Sequence, residues 1–303
     1  MSESRRKFLG KITTAVAMME TFEIFAQNEH TVAAPGYGLM VLATNWGFSG
    51  NWDAFAAKAA AEGYDGVEVW APQDPENRKN FLAAMKTHGL KFGLLIGGGD
   101  RDPVRHLEQF NKALEIALSM NPVYINCHSG KDWFNFESNL RIIEASYRMS
   151  AGSGIPVCHE THRGRMLYSA TVTREFLQRA PELKITADLS HWCTVHESLL
   201  EDQQESLALA LSRAEHIHAR IGHPEGPQVN DPRAPEWKKA VAAHLSWWDT
   251  VAARKKKEGK LLTILTEFGP ADYMPTTPFT RQPLADQWGI NVYMKDLLRK
   301  RYS

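Results

Sequence analysis

Cysteine is scarce in this chain: Cys127, Cys158 and Cys193 are the 3 in 303 residues. An odd count with no paired spacing argues against a disulfide framework. One bridge stays open, because Cys127 and Cys158 fall on segments that read as neighbouring strands. Excess charge of either sign is also missing, with 35 Lys plus Arg against 35 Asp plus Glu. No broad electrostatic pull on nucleic acid or on a membrane surface is therefore expected. The run Arg254-Lys255-Lys256-Lys257 is a local exception that reads as the end of a helix, where cations suit the dipole. No apolar run is long enough for a transmembrane helix. The glycine cluster Gly97-Gly98-Gly99 lacks the spacing of a dinucleotide-binding loop and reads as a plain turn.

What is present begins with Ser4-Arg5-Arg6-Lys7-Phe8-Leu9. This resembles a bacterial twin-arginine export signal, with Val32-Ala33-Ala34 as a small-residue cleavage point. The apolar stretch from Ile12 to Met19 is short, and Glu20 and Glu23 follow it. Export to the periplasm, or a decayed signal on a cytoplasmic protein, are the two readings. Residues 1–35 are expected to be a flexible N-terminal segment and 36–303 one catalytic domain.

From residue 36 onward, short Val/Ile/Leu-rich runs alternate with longer amphipathic stretches. The runs predict strands at Gly38–Thr44, Gly66–Trp70, Lys91–Ile96, Val123–Asn126, Ile155–Glu160, Lys184–Asp188, His216–Arg220 and Leu261–Glu267. The amphipathic stretches predict helices at Trp52–Glu62, Pro75–His88, Pro103–Ser119, Phe136–Ala151, Thr173–Ala180, Leu200–Ala214, Pro235–Lys257 and Leu284–Lys300. Eight strand–helix units in strict order predict an α/β fold, a (β/α)8 TIM barrel. An open doubly wound sheet is the competing arrangement.

Four of these strands close on a possible metal ligand: Glu160, Asp188, His218 and Glu267. An acid at the end of an apolar strand is costly without a partner, and a closed barrel would draw four such ends together. Two Glu, one Asp and one His make an oxygen-rich set suited to one divalent ion, Mn²⁺ first, with Mg²⁺, Co²⁺ or Zn²⁺ as alternatives. Strand alternation puts His216 and Arg220 on the face of His218, Trp70 on that of Glu68, and Asn126 on that of His128. Glu68, His128 and Arg220 are candidates for binding substrate hydroxyls. His191, three residues past Asp188, and His223 read either as loop residues that touch substrate or as surface histidines. Trp46, Trp70, Trp133 and Trp192 fall near the expected mouth, where a flat ring would cover the apolar face of a sugar; packing is the alternative.

At His159-Glu160-Thr161-His162, Asp188-Leu189-Ser190-His191, His216-Ile217-His218 and Glu267-Phe268-Gly269-Pro270 the chain resembles the xylose isomerase-like barrels of sugar isomerases and epimerases. The resemblance implies that Glu160, Asp188, His218 and Glu267 hold one divalent ion, that Glu160 and Glu267 also act at the reacting carbons, and that His191 contacts substrate. The segment from Arg220 to Gln228 departs from the usual ketose epimerase loop, and no phosphate cradle follows the seventh strand. A metal-dependent isomerase or epimerase acting on a non-phosphorylated keto-sugar or keto-glycoside is the leading expectation. A lyase cleaving a 3-keto-glycoside by β-elimination, a multi-metal phosphodiesterase of the endonuclease IV type and a non-catalytic sugar-binding barrel are the others. The implied partner is a small-molecule sugar, with a homo-oligomer possible by analogy.

Overall fold

The computed structural model describes residues 36–303. The expected segment 1–35, with its export-signal pattern, lies outside the described residues. Eight parallel strands close in sequence order: β1 (Gly38–Thr44), β2 (Gly66–Trp70), β3 (Lys91–Gly97), β4 (Ile125–His128), β5 (Val157–Glu160), β6 (Ile185–Ala187), β7 (Ala214–Ala219) and β8 (Leu261–Thr266). Pairing of Gly38–Ala43 with Leu261–Thr266 shuts the barrel, which rules out the open sheet. Nine α-helices are assigned among the described residues: α1 (Trp52–Ala61), α2 (Pro75–Thr87), α3 (Pro103–Ser119), α4 (Phe136–Ser150), α5 (Ala170–Arg179), α6 (Ser190–His196), α7 (Gln204–Arg213), α8 (Lys238–Glu258) and α9 (Gln287–Tyr302). None is long and apolar enough to cross a membrane.

Local chemistry starts many of these helices. Asn51, Asp74, Asp102, Asn135, Ser169 and Asp286 each cap a helix by accepting a backbone N–H from its first turn. Such a cap contributes about 1 kcal/mol. The Arg254–Lys257 run does close a helix: Lys255, Lys256 and Lys257 form the last turn of α8, and Gly259 follows in the left-handed conformation.

Three differences from the sequence expectation matter. β4 runs later than expected, at Ile125–His128. β6 keeps only Ile185–Ala187, so Asp188 stands one residue past its strand. The residues after Asp188 form the short helix α6 rather than a loop. Its 7 residues are too few to display a helical period, and Ser190, His191, Trp192 and Cys193 are all buried. All three cysteines are free and buried, so the bridge left open between Cys127 and Cys158 does not form.

Most of the apolar core lies between the sheet and the helices. One cluster gathers around Trp192, Trp248, Ile217 and Ile264, a second around Phe55, Phe81, Leu94 and Phe110. Inside the barrel the apolar cluster is small, with Leu42, Tyr124 and Leu265 buried. Gly93 on β3 makes that interior possible: a Cβ there would stand 2.3 Å from the Tyr124 ring.

Candidate metal centre and substrate cavity

The four expected ligands come together at the C-terminal end of the barrel. Glu160 ends β5, Asp188 follows β6, His218 lies within β7, and Glu267 follows β8. Their relative exposures run from 0% to 9%, so the charges are removed from bulk water. His218 Nδ1 lies 2.9 Å from Glu267 Oε2 and 3.6 Å from Glu160 Oε2. One donor atom from each of Asp188, His218 and Glu267 falls within 4.8 Å of the other two. The same holds for Glu160, Asp188 and His191.

Buried polar atoms normally pair. Here Glu160 Oε1 is buried without a hydrogen bond, while Glu267 Oε2 is ion-paired with His218 Nδ1 and Arg220 Nη2. A buried excess of carboxylate around one imidazole is what a cation would neutralise, taking the place of the proton on His218, so the donor set fits a divalent ion of the oxygen-preferring kind. Asp188 differs: its Oδ1 accepts from the Ser190 N–H and hydroxyl, and its Oδ2 accepts from Arg220 Nη2.

The electrostatics point the same way. Burial alone would lower the His218 pKa, but Glu267, Glu68 and Glu160 outweigh it and raise the imidazolium well above its ordinary range. Burial would raise the Glu160 carboxyl, yet His128 and His218 hold it well below. Burial raises Asp188 to about 6 despite the Arg220 guanidinium. Three carboxylates thus draw positive charge onto the centre.

Beneath the ligands lies a network that sequence reasoning did not foresee. Glu68, expected to bind a substrate hydroxyl, borders the substrate cavity but has both oxygens engaged by protein. His218 Nε2 donates to its Oε1 at 3.1 Å, and the Tyr124 hydroxyl donates to its Oε2 at 2.7 Å. His216 Nε2 lies 3.1 Å from the same Oε2. Asn126 Nδ2 spans two carboxylates, donating to Glu160 Oε2 at 2.7 Å and to Glu68 Oε1 at 3.3 Å. A carboxylate taking one imidazole N–H turns the opposite nitrogen toward a metal. Here it aims Nδ1 of His218 at Glu160 and Glu267.

Above the ligands opens a cavity of about 410 Å³, lined by Trp46, Trp70, His128, His162, Arg220, Glu267 and Tyr273 among others. Glu267 reaches this wall, while Glu160 lies behind His128, whose Nε2 is 2.9 Å from Glu160 Oε2. The rings of His128, His162 and His191 follow one another, with centroids 4.5 Å and 3.8 Å apart. His191, expected to contact substrate, is fully buried on α6 and absent from the cavity lining, its Nε2 3.0 Å from Arg220 Nη2. Trp46 lines the cavity beside Tyr273, and Trp70 stands at its rim against His128.

The structure does not bring every expected residue here. His223 is absent from the cavity lining; its ring packs on Trp237 at 4.7 Å in the loop after β7. Trp192, expected near the mouth, is fully buried in the outer core and donates its indole N–H to the Leu167 carbonyl. Trp133 is 59% exposed and outside the lining. Tyr273, by contrast, was not singled out from the sequence. It lies in an irregular loop, and only its distance of six residues from Glu267 hinted at the mouth.

The family model described as xylose isomerase-like TIM barrel matches residues 56–235, more than half of the chain. Among solved structures, 3-keto-D-glucoside 4-epimerase from E. coli is 15% identical with a TM-score of 0.58, covering 87% of this chain and 100% of its own. A xylose isomerase-like TIM barrel protein from Mycobacterium smegmatis in complex with magnesium is 10% identical with a TM-score of 0.57, covering 86% and 95%. Endonuclease IV from Thermus thermophilus is 14% identical with a TM-score of 0.52, covering 88% and 98%. At such identities these likenesses speak to the fold. A search of curated proteins finds no match. The family match and the closed eight-stranded barrel agree: this chain belongs to the xylose isomerase-like TIM barrel family.

Proposed function

We propose that this protein is a divalent-metal-dependent isomerase or epimerase acting on a non-phosphorylated keto-sugar or keto-glycoside. The observation that carries the reading is the convergence of Glu160, Asp188, His218 and Glu267 at the C-terminal end of the barrel, with Glu267 bordering the cavity and a buried oxygen of Glu160 left without a partner. These four residues would hold one ion, with Mn²⁺ the first choice for so oxygen-rich a set. Bound there, the ion supplies Lewis-acid polarisation of a substrate carbonyl.

The chain's own groups do the rest. Glu267 faces the cavity and is placed to take a proton from the carbon beside the carbonyl. Glu160, close to the same His218 nitrogen and linked to the cavity through His128, would return one, at the same carbon for epimerisation or at its neighbour for isomerisation. His128 and His162 line the cavity, and His191 is buried against His162. Burial lowers His191 well below its ordinary pKa, which keeps the ring neutral. Trp46 offers a flat apolar face for a sugar ring. Its neighbours Thr44 and Asn45 supply polar groups on the same wall.

The test is solvent exchange. The chain, stripped with chelator and reloaded with Mn²⁺, is incubated in D₂O with a panel of ketoses and 3-keto-glycosides, and the products are read by NMR. Deuterium is expected beside the carbonyl, with new sugar signals, and both vanish when the chelator is restored. Release of an aglycone instead would mark β-elimination. A reloaded protein that exchanges no proton of any panel member ends this reading.

A further inference from the structure

The cavity wall contains one permanently charged cation among the described residues, Arg220. It follows β7 two residues after His218 and so shares the inward face. The side chain is 2% exposed, yet it borders the cavity. Its guanidinium is held firmly. Nε donates to the Ser190 hydroxyl at 3.2 Å, and Nη2 donates to Asp188 Oδ2 and lies 3.4 Å from Glu267 Oε2. The Tyr273 ring lies 4.7 Å from Cζ and the Trp46 ring 5.9 Å, so aromatic faces restrict the fork as well. The backbone is shaped for this clamp. Gly222 passes so near α6 that a Cβ would stand 2.6 Å from the Ser190 backbone, which brings Ser190 within reach of Arg220.

An arginine has five N–H donors in a fixed plane. Those on Nε and Nη2 are engaged, whereas Nη1 donates to no protein group among the described residues. A counter-ion for Asp188 needs one edge of the guanidinium. The second terminal nitrogen, rigidly placed and unspent at the wall of a partly aromatic cavity, is what a negatively charging oxygen would use. Lysine could neutralise Asp188 but could not present a second, coplanar donor.

We propose that Arg220 is a catalytic residue whose Nη1 hydrogen-bonds the substrate oxygen that becomes negative during proton transfer. The inference rests on the keto-sugar reading for the identity of that oxygen. In the step concerned, the C–H bond next to the carbonyl breaks and its proton passes to a carboxylate. The C–H electron pair forms the new C=C bond, and the carbonyl π pair moves onto oxygen. Arg220 donates hydrogen bonds to that oxyanion and transfers no proton. Donors set in advance where charge develops, in a site sheltered from water, act mainly on the transition state.

The experiment uses glycolohydroxamate, a small mimic of the enediolate, titrated calorimetrically into the full-length Mn²⁺-loaded chain. Arg220→Ala is expected to bind it about 10²- to 10³-fold more weakly, the cost of losing one oxyanion donor. Arg220→Lys, which keeps the charge without the fork, is expected to fall between Ala and wild type. Metal content by elemental analysis should stay at the wild-type level. Millimolar guanidinium, far below denaturing concentrations, should restore much of the lost affinity in Arg220→Ala and none in wild type, which a merely structural role would not produce. Arg220→Gln serves where the alanine variant does not fold. Mimic affinity within about threefold of wild type in the uncharged variants overturns the proposal, since a single lost donor costs far more. So does a wild type that does not bind the mimic. Failure of the sugar reading is separate: no turnover of any keto-sugar, beside Arg220-dependent binding of the mimic, removes the substrate class and leaves the oxyanion grip standing.

Discussion

The barrel's interior and the sheath outside it are made from the same strands, yet they follow different rules. On β7, Ile217 and Ala219 pack into the apolar layer under the helices, while His216 and His218 turn inward to Glu68. On β5, His159 is held outside by Ser129 and Ser146, while Glu160 faces the ligands. In the sheath, shape is stabilising because burial removes apolar surface from water. In the interior, carboxylates and imidazoles are buried against their own solvation cost and persist only because each is paired or awaits a cation. Stability and function are therefore largely assigned to opposite faces of one sheet.

That division can be broken from either side. The largest effect is expected from Glu267→Gln, which should reduce proton exchange by about 10²- to 10⁴-fold, the typical contribution of a general acid or base. Its melting temperature without added metal should stay near wild type, because Glu68 and Glu160 still balance His218 and Asp188 still balances Arg220. A parallel fall in melting temperature would show that Glu267 also carries structure. Next comes the sheath. Phe110 is fully buried against His159, and Phe110→Ala should cost about 3–5 kcal/mol in a denaturant titration while leaving metal affinity unchanged. Altered metal affinity in that variant would mean the two faces are coupled.

His244 lies between the regions, on α8 but bonded to the loop that follows Arg220. Its Nδ1–H donates to the Ala240 carbonyl at 2.9 Å and its Nε2 accepts from the Gly222 N–H at 3.2 Å, so the fold requires the neutral ring. Burial lowers its pKa from 6.5 to about 4. The unfolded chain therefore binds the proton first, and this contribution to stability is complete above about pH 6.5 and lost as pH falls through about 4. The loss should reach roughly 3 kcal/mol, and His244→Gln should flatten that part of the stability–pH curve. The smallest effect is expected from Glu68→Gln, which should weaken metal binding about 10- to 100-fold through the orientation of His218. Unchanged affinity, measured with a competing chelator, would reduce Glu68 to a packing role.

The strand–helix alternation and the four candidate ligands were legible because both are local. An apolar run ending in an acid needs no partner to be noticed, and Glu160, Asp188 and Glu267 have that form, with His218 its imidazole counterpart. Glu68 and His128 were also visible as inward residues, but their engagements were not. Glu68 meets Tyr124 and His218, 56 and 150 residues away in sequence. The short helix α6 escaped because seven residues carry no readable period, and with it went the burial of Trp192 and His191. Tyr273 escaped because an irregular loop has no period at all, and His223 looked as eligible as His191 for the same reason.

By itself, then, the sequence determined which residues alternate between faces and which polar groups stand at strand ends, since periods of 2 and 3.6 are written into every short stretch of chain. Only the tertiary structure decided which of those groups share a centre. Closure of β1 on β8 and the register of eight strands set Glu68 beneath His218, turned Arg220 into the cavity wall and left His223 outside it. Those outcomes depend on contacts between distant parts of the chain, which no local pattern encodes.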